Sequence, residues 1–146
     1  MLRIVAGLVL LALGAGVVEA QNTAVIKQRQ DLMKANAEAL KAPAAMLKGD
    51  APFDLAKVQA SLKALQEQSA KVKPLWTEDT KTGGDTRALP AVWKDLKGYL
   101  GRFDTMATSA KAAAAAIKDE ASFKTAFPKV LASCGGCHKE YRAPAK

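Results

Sequence analysis

The chain is poor in the residues from which metal and catalytic centres are usually built, with two cysteines and one histidine among 146 residues. A structural zinc site normally takes four Cys or His ligands, so these residues fall short of one. Aromatic residues make up only 5% of the chain, while alanine and lysine are plentiful. That balance favours helices, and no alternating strand pattern is visible. Few aromatics and evenly spread lysines also argue against nucleic acid as a partner. Long apolar runs are missing after residue 20. The run before it, residues 4–18, is shorter than the ~20 residues that span a bilayer.

That early run has the form of a secretory signal. Met1-Leu2-Arg3 supplies a short basic start, and Val18-Glu19-Ala20 offers small residues for cleavage. Residues 1–20 are expected to be removed and residues 21–146 to form a single mature domain in the periplasm, with no stable membrane anchor. The alternative is an uncleaved anchor, against which a polar helix start follows directly. Removal takes away Arg3 and Glu19, one charge of each sign, so the net charge of +8 is retained. A positive surface of this kind steers toward an acidic redox partner. The plainer reading is that scattered lysines keep a helical protein in solution.

Glycine and proline punctuation divides the rest into four helical segments. The first covers residues 23–48 and stops at Gly49-Asp50-Ala51-Pro52. The second begins after Asp54, a good N-cap, and ends near Pro74. A polar loop over residues 77–89 contains Gly83-Gly84-Asp85. The third starts at Pro90 and reaches Ile117, and the fourth is capped by Asp119 and ends near Arg142. Apolar positions recur at steps of three and four: Leu55, Val58, Leu62, Leu65 and Val72 in the second segment. Leu96, Leu100, Phe103, Ala107, Ala110, Ala114 and Ile117 follow in the third, and Phe123, Phe127, Val130, Cys134, Cys137 and Tyr141 in the fourth. The pattern predicts an all-α, up-down-up-down antiparallel four-helix bundle, with a kink or break at Pro43 and at Pro128.

Both cysteines and the histidine stand together as Cys134-Gly135-Gly136-Cys137-His138. C-x-x-C-H is the attachment signal for c-type haem. Two thiols three residues apart share one helix face, so both reach the vinyl groups of a single haem. The neighbouring imidazole is then the proximal iron ligand. A thioredoxin-like C-x-x-C belongs on a βαβ scaffold, which is not visible here. A plain disulfide and a zinc site shared between chains remain as rivals. Export supports haem, because exposed thiol pairs outside the cytoplasm oxidise unless something captures them. Two propionates would lower the net charge to about +6. Gly135-Gly136 in mid-helix costs roughly 2 kcal/mol relative to alanine, and is read either as room for a close macrocycle or as plain permissiveness.

The motif at the end of the last of four helices, followed by Lys139-Glu140-Tyr141-Arg142, resembles the class II cytochromes c, the cytochrome c′ family. The similarity runs through residues 26–34, through residues 48–54 around Gly49-Asp50-Ala51-Pro52, and through Gly83-Gly84-Asp85 with Trp93. It implies one covalently attached haem c held by Cys134 and Cys137, with His138 as proximal ligand. Arg29 and Gln30 match positions near the haem edge and propionates, Asp85 a loop position touching the cofactor, and Arg142 a position beside the proximal imidazole. Homodimers through the first two helices are common in that family, although these residues alone force none.

Met33 matches the family's distal-face position. Low-spin relatives use a first-helix methionine as sixth iron ligand for electron transfer, whereas members with a five-coordinate iron bind nitric oxide or carbon monoxide. Met33 lies about 15 Å along its helix from Thr23, near the expected level of His138, while Met46 would be about 35 Å along, at 1.5 Å per residue. Met106 falls mid-helix, a poorer alternative. The single histidine excludes bis-histidine ligation. The expectation is a periplasmic one-electron carrier, not an enzyme, with iron bound by His138 and Met33. The alternative leaves Met33 packing over an open iron.

Overall fold

The computed structural model describes residues 13–82 and 84–144, so residues 1–12 of the expected signal segment lie outside the described residues. Four long helices carry the fold: α1 Leu13–Lys48, α2 Leu55–Val72, α4 Leu96–Ala116 and α5 Glu120–Tyr141. A short α3, Ala91–Lys94, precedes α4, and two 3-10 turns, Lys73–Leu75 and Glu78–Thr80, interrupt the long connection after α2. Helix α1 therefore starts upstream of the predicted Thr23. No helix among the described residues is long and apolar enough to cross a membrane.

Local chemistry explains most of the boundaries. Helix α1 ends on Gly49, whose φ of 83° suits glycine. Two backbone donations, Gly49 N–H to Met46 and Asp50 N–H to Ala45, close its last turn. Asp54 caps α2 by accepting from the Lys57 amide, and Asp119 with Ser122 forms a reciprocal capping box on α5. Both helices run through their prolines, so neither Pro43 nor Pro128 makes the break that was one expected outcome. Pro43 is fully buried in the packing of α1. Pro128 is exposed on α5 and removes one amide donor from its ladder.

The third segment differs from its prediction. Asp95 accepts from the Gly98 amide and starts a new helix, so α3 and α4 are separate. Of the predicted stripe, Phe103, Ala110 and Ile117 are buried, whereas Leu96, Leu100, Ala107 and Ala114 are half-buried and Tyr99, Met106 and Ala113 join the buried face. The second segment matches its stripe except for Leu55, which is exposed.

Helix α1 packs on α2, α2 on α4 and α4 on α5, whereas α1 and α5 make little direct contact. The interior falls into two clusters. One, at the end away from the cysteines, gathers Val58, Leu62, Leu65, Ile117, Phe123 and Phe127, each fully buried. Burying a side chain of this size is worth about 1.5–3 kcal/mol. The other surrounds Tyr99, Phe103 and Tyr141 and includes Cys134, Cys137 and Met33 at its edge.

Candidate haem site

The gap between α1 and α5 is a cavity of about 330 Å³, bordered among others by Arg29, Met33, Trp76, Arg87, His138 and Arg142. A second hollow of about 190 Å³ shares Met33, Cys137 and His138 with it and adds Asn36, Met106 and Cys134. The residues of the attachment motif and Met33 therefore meet at one end of the bundle. Met46 belongs to the far cluster, as its distance along α1 predicts. Met106, ranked a poor alternative, does border the second hollow.

The i, i+3 spacing on α5 sets both thiols on one half-buried face against Tyr99 and its neighbours. Burial pushes both thiols up, and they are free rather than disulfide-bonded. Gly135 and Gly136 are exposed, with no protein atom near the place a Cβ would take. Burial first, then the charges of Arg142 and Arg87, pulls the His138 imidazolium below its ordinary range. The neutral imidazole that a metal requires is thereby favoured. Among the described residues, no group of three His, Cys, Asp or Glu side chains comes together to hold a bare metal ion.

Arg29 is in the cavity wall, but its guanidinium is largely committed to protein. It donates from Nε and Nη2 to the Leu75 carbonyl at 2.9 and 2.6 Å, from Nη1 to the Thr80 carbonyl, and from Nη2 to the Thr80 hydroxyl. It also lies 3.9 Å over the Trp76 ring. Burial pulls its pKa down to about 10, so it stays charged at neutral pH. Gln30 donates to the Asp85 carbonyl at 2.7 Å. The loop thus meets α1 through the Asp85 backbone, while Asp85 itself is exposed and outside the lining of either hollow.

Several lining residues escaped the reading of the sequence. Thr86, Arg87 and Ala88 border the larger cavity because the loop before α3 is tied to the end of α5. Leu89 donates to the Tyr141 carbonyl at 2.9 Å, Ala143 to Arg87 at 2.8 Å, and the Arg87 guanidinium donates to the Ala143 carbonyl. This pairing joins positions more than fifty residues apart, and only turn composition marked the loop beforehand. Trp76 carried no motif either. It begins a ring series in which Trp76 meets Tyr99 edge-on at 4.7 Å and Tyr99 meets Tyr141 at 4.9 Å.

Two observations fit this space to a haem. The hollows are bordered by no acidic side chain, and although Arg29 is spent on protein and Arg102 is paired with Glu140 at 2.6 Å, Lys34, Arg87 and Arg142 also border them, which suits a macrocycle carrying two carboxylates. Trp76 also keeps a buried indole N–H with no acceptor in the protein.

Comparisons with known proteins agree. A family profile described as Cytochrome C' matches residues 24–142. The chain is 48% identical over 139 residues to a cytochrome c′ of Rhodopseudomonas palustris, covering 95% of this chain and 93% of that protein. It is 30% identical to a cytochrome c-556 of Agrobacterium fabrum over 80% of each. The solved cytochrome c′ from R. palustris superimposes with a TM-score of 0.82 at 47% identity, over 85% of this chain and 99% of that one. The chain belongs to the cytochrome c′ family and is a four-helix-bundle c-type cytochrome with covalently attached haem c.

Proposed function

We propose that this protein works in the periplasm as a one-electron haem c protein whose iron takes His138 from α5 and keeps its sixth position open toward α1, where nitric oxide or carbon monoxide binds. The observation that carries this reading is the 48% identity, over nearly the full length of both chains, to a protein named cytochrome c′. The haem itself supplies a one-electron couple and an iron that binds small ligands. The protein does the rest. Cys134 and Cys137 hold the group against the aromatic cluster, and the depressed basicity of His138 keeps its lone pair available. Lys34, Arg87 and Arg142 border the cavity and would hold the carboxylates of the group, and Met33 would cover its α1 side with a flexible apolar chain.

The leader is cleaved after Ala20, and the basic surface receives an acidic redox partner rather than nucleic acid or a membrane. No substrate turnover is part of this reading.

A second reading, in which Met33 Sγ is the sixth ligand of a low-spin electron carrier, is favoured by the position of Met33 in both hollows alongside His138. A thioether opposite histidine raises the reduction potential. Absorption spectra of the native protein and of Met33→Ala separate the two. The open-iron reading expects a high-spin spectrum in both proteins and a shift on adding carbon monoxide. A low-spin native spectrum that turns high-spin in Met33→Ala selects the methionine-ligated carrier. A native mass equal to the bare mature polypeptide sinks both.

A further inference from the structure

Asn36 stands one helical turn beyond Met33 on the same face of α1. It is 8% exposed, and its side-chain Oδ1 has no hydrogen-bond partner. Around it the second hollow is mostly apolar, with Met33, Leu40, Phe103 and Met106 among its walls. A carboxamide oxygen buried without a donor is destabilising in such a setting. The other orphaned atoms differ in place: Ser61 and Gln68 lie on α2 and border neither hollow, and Trp76 borders only the larger cavity.

We propose that Asn36 is a ligand-selecting residue of the distal side, hydrogen-bonding a small polar ligand that enters beside Met33. This rests on the open sixth position argued above. The carboxamide serves either polarity. Its oxygen accepts from a ligand that carries a proton, and with the amide turned over its N–H donates to a diatomic or an anionic ligand. Polar discrimination of this kind favours ligands with an acceptor atom over purely apolar ones, because an unpaired carboxamide is left behind when they fail to bind it.

The test uses the mature haem-loaded protein, reduced and exposed to carbon monoxide, and reads the infrared C–O stretch and the rate of carbon monoxide release. Asn36→Leu, close in size, is expected to move the stretch to higher frequency and to release the gas several-fold faster. Asn36→Ala is the second variant should the first fold poorly, with haem content and helicity as the check on folding. An unchanged stretch and release rate in a folded variant overturn the role of Asn36. A native protein with no carbon monoxide band at all overturns the open-position reading, and the role of Asn36 with it. That result differs from the first because it shows as a missing band rather than an unmoved one.

Discussion

Arg29 shows how a residue picked out for one task is occupied by another. Its place in the sequence pointed to the haem edge, and it does border the cavity, yet its donors are spent on Leu75 and Thr80. It therefore acts as a clamp between α1 and the 3-10 turns, holding Trp76 beneath its guanidinium. Arg29→Leu leaves two carbonyls without their donor and is expected to lower stability by about 2–4 kcal/mol, measured by denaturant unfolding. Loss of less than about 1 kcal/mol would show that water replaces the guanidinium without penalty. That the cysteines, the histidine and Met33 meet at one end of the bundle was legible, because motif spacing and rise along a helix fix where they stand. Trp76, Arg87 and Asn36 were not, because each becomes informative only when a distant segment lies against it.

At the scale of elements, the four long helices and their caps follow from spacing and end chemistry, and the second and fourth apolar stripes are buried almost as the periodicity predicts. The third stripe is buried at Phe103, Ala110 and Ile117 but only half-buried elsewhere, and two start signals compete at its beginning. Pro90 opens α3, but Asp95 captures the Gly98 amide and starts α4 as a separate helix, whose buried face also takes in Tyr99 and Met106. A list of apolar spacings does not contain the outcome of such a competition. The cap at Asp119 makes a pH prediction. Donation from the Ser122 hydroxyl, then from its amide, holds this carboxyl below the ordinary carboxylate range. A depressed acid stabilises the fold above its unfolded pKa, and that contribution is lost as pH falls through the folded value. Asp119→Asn keeps the capping oxygen but not the charge. It is expected to melt below wild type at neutral pH, with the gap closing in acid as the wild-type carboxyl protonates. A gap that persists unchanged in acid would show that the charge plays no part.

For the whole molecule, the eight aromatic rings sort by place: Phe53, Phe123 and Phe127 pack at one end, and the other five surround the cavity end. The far end is packed around fully buried side chains, whereas the cavity end leaves a space that a haem would fill. Hydrogen exchange on Cys134→Ala/Cys137→Ala protein should therefore keep the amides around Phe123 and Phe127 protected while those of the 3-10 turns and the middle of α1 exchange freely. Equal loss at both ends would mean a single cooperative unit. The tie between Leu89 and Tyr141 has a further meaning for biosynthesis. The backbone that latches the loop, at Tyr141 and Ala143, is made just after the thiols and imidazole. A ribosome product ended prematurely before Cys134 forfeits both thiols, the single imidazole and the latch together. Faulty copies therefore emerge colourless and unlatched, exposed to proteolysis rather than half-functional.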